Sequence, residues 1–131
     1  MAGTVVANTI NTDTGLFSTN NAYSGIAKAW VQFTGSSATI NGSFNVSSIT
    51  RNGTGDYTAN FTTAMPDTNY VPLITTSGDQ DGSLGSGSWT PNLYRNGGSL
   101  TAPTTTGFYF LCNWNGSGSG DPTYISIAVF R

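Results

Sequence analysis

The chain predicts an all-β fold: an antiparallel β-sandwich of about eight short strands, jelly-roll-like in arrangement. Three observations carry that expectation. Thr, Val, Ile, Phe, Tyr and Trp, which suit a pleated, half-buried surface, are abundant across the 131 residues, whereas strong helix formers are few, with one Lys and no Glu. Several segments alternate apolar and polar side chains with the period of two that a strand with one wet face requires. Gly-, Asn-, Ser- and Pro-rich turn signals separate them about every 8–12 residues. Residues 1–131 therefore read as a single domain. Seven Phe, six Tyr and three Trp supply its core, and a chain of this length buries roughly two-thirds of its unfolded surface.

The elements follow in order. The first expected strand, 4–10, is placed to pair with a neighbouring subunit. Strands over 28–34 and 38–46 come next, with Trp30 and Phe33 assigned to the core. The clearest element is a hairpin over 49–61. Asn52-Gly53-Thr54-Gly55 forms its turn, with Asn-Gly expected to take the positive φ angles of tight hairpins. On its exit strand Tyr57, Ala59 and Phe61 share one face while Asp56, Thr58 and Asn60 share the other. Pro66 bars regular pairing in the turn that follows. Further strands are expected at 70–76, 88–94, 107–114 and 124–131. Pro72 marks an edge position or a bulge. In the last strand Ile125, Ile127 and Val129 form one apolar face, and the other mixes Tyr124, Ser126, Ala128 and Phe130. Such a strand belongs at the centre of a sheet, or between a core and a partner surface. Gly/Ser loops fill 77–87 and 115–120.

Composition excludes several function classes. Thr, Ser, Asn and Gly (21, 15, 13 and 17 residues) make up half of the chain, and only 8% is charged, against roughly 25% in ordinary domains. Four cations and a net charge of −2 do not neutralise the phosphates a nucleic-acid partner presents. No apolar run approaches the roughly 18 residues of a membrane span. The N-terminus has neither the basic head nor the apolar stretch of a secretory signal, so synthesis in a cytoplasm is expected. Five Asn-x-Ser/Thr sequons, at Asn41, Asn45, Asn52, Asn60 and Asn115, reflect composition rather than glycosylation. The lone Cys112 permits no internal disulfide, and its flanks, Phe110, Leu111 and Trp114, predict a buried, unreactive thiol.

The expectation is a protein that is not an enzyme and carries no cofactor. With no His and one Lys, the usual general bases are missing and a zinc site lacks ligands. Asp79 and Asp81 form the nearest carboxylate pair for glycoside cleavage, but in a Gly/Ser loop they read first as turn formers. Asp79-Gln80-Asp81-Gly82 also resembles the start of a calcium loop, yet the twelfth position is Thr90, which cannot supply the bidentate acid such a loop needs. Asp79 and Asp81 are thus weak calcium candidates. Trp89, Tyr94 and Trp114, flanked by Gly, Ser, Asn or Pro, are the candidate ligand or interface contacts: rings beside polar loops stack on sugars or anchor partners. The alternative for each is an aromatic at the rim of the core.

One series of residues is more specific. Ala27-Lys28-Ala29-Trp30-Val31-Gln32-Phe33 is followed by Ser43-Phe44-Asn45-Val46-Ser47-Ser48-Ile49-Thr50, then by Asn52-Gly53-Thr54-Gly55-Asp56-Tyr57-Thr58 and Phe61-Thr62-Thr63-Ala64-Met65-Pro66-Asp67. It resembles a tail-fibre-like module of virion proteins from tailed bacteriophages, familiar in phages of cyanobacteria and marine bacteria. The opening Val5-Val6-Ala7-Asn8-Thr9-Ile10-Asn11-Thr12 is similar to the strand that precedes that module. The resemblance implies a non-enzymatic virion structural protein, made in the host cytoplasm and released by lysis. It implies a short fibre or knob that contacts the host surface, a glycan being the expected ligand, with other virion proteins as neighbours. The alternative is a decoration protein that cements the capsid, which a chain complete from Met1 without shaft or coiled coil would suit. The resemblance carries over no catalytic residue. Few charges guard the sheet edges, so a homo-oligomer is expected, a trimer by preference.

Overall fold

The computed structural model describes residues 9–12, 15–18, 25–77, 88–96, 99–114 and 118–131. The protein is all-β, and its body is a sandwich of two four-stranded antiparallel sheets. Near the N-terminus, strands β1 (Thr9–Thr12) and β2 (Gly15–Ser18) pair with each other. The sandwich begins with β3 (Ala29–Thr34), β4 (Thr39–Phe44), β5 (Val46–Gly53) and β6 (Asp56–Phe61). It continues with β7 (Val71–Thr76) and β8 (Trp89–Leu93). A small ladder of β9 (Arg95–Asn96) and β10 (Ser99–Leu100) precedes β11 (Gly107–Trp114) and β12 (Tyr124–Phe130). One sheet has the order β4-β3-β12-β7 and the other β5-β6-β11-β8. The eight strands of the two sheets are those expected from residue 28 onward. That order does not establish a jelly-roll connectivity, because β3–β4 and β5–β6 are local hairpins inside single sheets. Of the first expected strand, 4–8 lies outside the described residues.

Alternation decides which side chains meet between the sheets. Ala29, Val31 and Phe33 point inward from β3, and Ile125, Ile127 and Val129 from β12. Opposite them Tyr57, Ala59 and Phe61 project from β6, and Phe108, Phe110 and Cys112 from β11. The rings form a continuous chain of contacts. Tyr57 stacks on Phe110 at 5.3 Å between centroids, and Phe33 meets Tyr57 edge-on at 5.4 Å. Farther along, Phe61 packs edge-on against Tyr70 at 5.4 Å. Offset and edge-on pairs of this kind each add about 0.5–1.5 kcal/mol beyond the burial of their surface. Cys112 is fully buried, as its flanks predict, and burial, with the nearby charge of Asp121, pushes its thiol up to about 12. The strand β12, apolar on both faces, is central in its sheet, and Pro72 lies on the edge strand β7. Pro91 occupies the edge strand β8 of the other sheet.

One polar unit ties the sheets together. The carboxylate of Asp121, in the segment leading into β12, accepts hydrogen bonds from the Tyr57 hydroxyl (2.6 Å) and the Gly55 amide (2.8 Å). The Arg51 guanidinium grips it through both oxygens, at 3.2 and 2.5 Å. The β5–β6 turn needs this approach. Positive φ falls on Gly55 (+70°) and not on Asn52-Gly53, which belong to β5 beside a shift in register. A Cβ on Gly55 would lie 2.6 Å from backbone atoms of Cys112 and Gly120, so both conformation and space demand glycine there.

Burial alone would raise the pKa of Asp121, but the bonds from Arg51, Tyr57 and Gly55 outweigh it and hold the carboxyl below its usual value. A depressed folded pKa contributes stability above the unfolded value, about 3.9, that is lost as pH falls through the folded one. Urea unfolding followed from pH 7 down to pH 2 should therefore show a loss of stability beginning near pH 4. In Asp121→Asn the acid-dependent loss should shrink, and stability at pH 7 should fall by about 2–3 kcal/mol as Tyr57 and Arg51 lose their charged partner.

Candidate functional site

The outward faces of the two sheets differ in chemistry, and sequence alternation sets both. On β5 and β6, Ser48, Thr50, Asn52, Thr58 and Asn60 point away from the core. Their side chains bond one another: the Asn60 amide donates to Ser48 Oγ and Thr50 Oγ1, each at 3.1 Å. The Asn52 amide donates to Thr58 Oγ1 at 2.9 Å and to Asp56 at 3.2 Å. Tyr109 and Asn113 of β11, with Thr90 and Asn92 of β8, extend this amide and hydroxyl surface across the sheet.

The outward face of β4-β3-β12-β7 is unlike it. Register places Phe44, Trp30, Ala128 and Leu73 side by side across all four strands. Val71 and Phe130 form the adjoining row, and Gln32, Ser126 and Thr75 lie on the other side. Phe44 is 55% exposed, Trp30 45%, and Leu73 and Val71 57% each. No residue of these four strands carries a charge. At the β4 corner an open groove of about 450 Å³ is lined by Phe44, Asn45, Thr62 and Thr63. Asn45, with a φ of +54°, fixes that corner: its amide donates to the carbonyls of Lys28 (3.1 Å) and Thr63 (3.2 Å) and accepts from the Thr63 amide (2.7 Å). At the end of β7 and β12 the rim holds the Asp67–Arg131 ion pair. Arg131 and the Asn69 amide keep the Asp67 carboxyl below its usual pKa.

Of the three candidate aromatics two come together and the third stands apart. Trp89 and Trp114 face each other across β8 and β11, edge-on at 4.8 Å. Trp89 is 7% exposed, and its ring belongs with the inward set, so the rim of the core describes it. Trp114 is half-buried against the same cluster. Tyr94 sits at the far end of β8, in a turn with a φ of +59°, its hydroxyl 3.4 Å from the Tyr70 carbonyl. Asp79 and Asp81 lie outside the described residues. Among the described residues no group of three His, Cys, Asp or Glu side chains gathers as a metal site requires.

Trp30 corrects the sequence reading. Phe33 is buried as expected, but Trp30 faces solvent beside Phe44. The signal was present in the alternation: Ala29, Val31 and Phe33 complete one apolar face, which leaves Trp30 with Gln32 and Thr34 on the other. Comparison with protein-family models, with curated proteins and with solved structures finds no match.

The two tryptophan environments are separable by stability. Trp89→Ala should cost about 3–5 kcal/mol in urea unfolding, as a large side chain removed from a core does. Trp30→Ala should cost about 1 kcal/mol or less.

Proposed function

We propose that this chain is a non-enzymatic structural protein of a bacteriophage particle, a short tail-fibre-like surface protein that contributes to host attachment. The observation that carries the reading is the uncharged, apolar outer face of β4-β3-β12-β7. A face with Trp30, Phe44, Leu73 and Val71 in the open is surface held for a partner rather than for water. The opposite face supports attachment. Its Ser, Thr and Asn side chains are held in position by mutual bonds, and Tyr109 stands among them, which is the chemistry that meets sugar hydroxyls. The resemblance to tail-fibre-like modules covers β3 to β6, the strands that contribute Trp30 and Phe44 to one face and the amide ladder to the other.

The described acidic groups with depressed pKa, Asp121 and Asp67, are both engaged by arginines, which is consistent with a binding protein. Capsid decoration is the second reading, and the uncharged apolar face favours it, because such a face suits a regular protein lattice. In either role the protein resides in the virion and has other virion proteins as neighbours. Quantitative mass spectrometry of purified particles separates the two. Tens of copies are expected for a tail or vertex appendage, and hundreds would mean capsid decoration. Absence from the particle would overturn both.

A further inference from the structure

We infer that the outer face of β4-β3-β12-β7 is the contact between copies of this chain. The inference deepens the assembly reading above and rests on it. Three features select a second copy as the occupant.

The first is charge. For a face buried against a second copy, any charge left without an opposite charge facing it is costly. Here the four strands contain no charged residue, and the ionic groups, Lys28 just before β3 and Asp67 with Arg131, stand at the rim.

Shape is the second. The row across the sheet runs from Phe44 and Trp30, through the small Ala128, to Leu73. It has an aromatic edge, a low centre and an aliphatic edge. A two-fold axis along the strands lays the aromatic edge of each copy on the aliphatic edge of the other, with Ala128 leaving room for the Trp30 ring. The same edge-on-edge contact closes a ring when the rotation is three-fold.

The third is area. Strand spacing and rise give four strands of six residues a face of about 20 by 20 Å. Its corrugated side chains amount to on the order of 700 Å² per copy, near the half-share of a standard specific interface. The apolar row spans the full width of that face, and Val71 with Phe130 adjoins it at the near end of the strands.

Multi-angle light scattering of the purified chain at micromolar concentration tests this. The intact chain should run as a defined dimer or trimer of the 13.6 kDa unit. Leu73→Lys, on an exposed edge-strand position, and Trp30→Gln should each reduce it to the monomer mass with an unchanged circular-dichroism spectrum. Thr90→Lys, on the outer face of the other sheet, should leave the oligomer intact. A monomeric intact chain overturns the inference, as does an oligomer that survives both substitutions. So does a monomer whose tryptophan fluorescence responds to host-surface polysaccharide through Trp30, since the face would then be a sugar platform. These outcomes are independent of particle copy number, so failure of this contact and failure of the virion reading are told apart.

Discussion

The architecture depends on one carboxylate. Asp121 is held from three directions at once, by a guanidinium, a phenol and a backbone amide. Arg51 and Tyr57 belong to the β5–β6 hairpin of one sheet, and Asp121 leads directly into β12 of the other. In a chain with so few charges, this unit fixes how the two sheets lie across each other. It also explains two features around it. Gly55 must be a glycine because the turn comes within contact distance of the β11 backbone and the segment after it. Tyr57, largely buried, can place its hydroxyl inside the sandwich only because the carboxylate receives the proton in a hydrogen bond. Burial first, and Asp121 second, push that phenol well above the usual range, so it stays a donor under all ordinary conditions.

With the interior settled in this way, the two outer faces are free to differ. On the β5-β6-β11-β8 face the side chains of β5 and β6 bond one another, and so present an ordered polar pattern rather than a set of loose side chains. The outer row of the β4-β3-β12-β7 face stands open: Phe44, Trp30, Leu73 and Val71 are exposed, because the opposite sides of the same strands already supply the core. A strand can serve two contacts only by being apolar on both faces, and β3 and β12 both approach that condition. The division of labour is therefore written strand by strand.

Much of this was legible in the sequence. Period-two alternation located the eight sandwich strands to within a few residues and offered β12 as a central strand, and Pro72 offered β7 as an edge or a bulge. The turn proline and the buried Cys112 were equally readable, because each depends on local chemistry. Trp30 was misjudged because apolar character alone was taken as burial, whereas the alternation of its own strand assigns it to the outside. Within the hairpin turn the positive φ was expected at Asn52-Gly53 and falls on Gly55, since Asn-Gly is the stronger local signal and only the approach of Cys112 and Gly120 makes Gly55 obligatory. Phe44 could not be seen at all from the sequence. Its exposure follows from the irregular register between β3 and β4, between Gln32 and Phe33, which shifts β4 relative to its neighbour.

The seclusion of Cys112 has a consequence of its own. A sulfur enclosed between the sheets, with its ionisation suppressed, is chemically silent while the sandwich is closed. So enclosed, it is shielded from oxidants and from cross-linking to other thiols. Its reaction with a thiol probe would wait on the parting of the two layers, so the rate of labelling reads out the opening free energy of the whole assembly from a single atom.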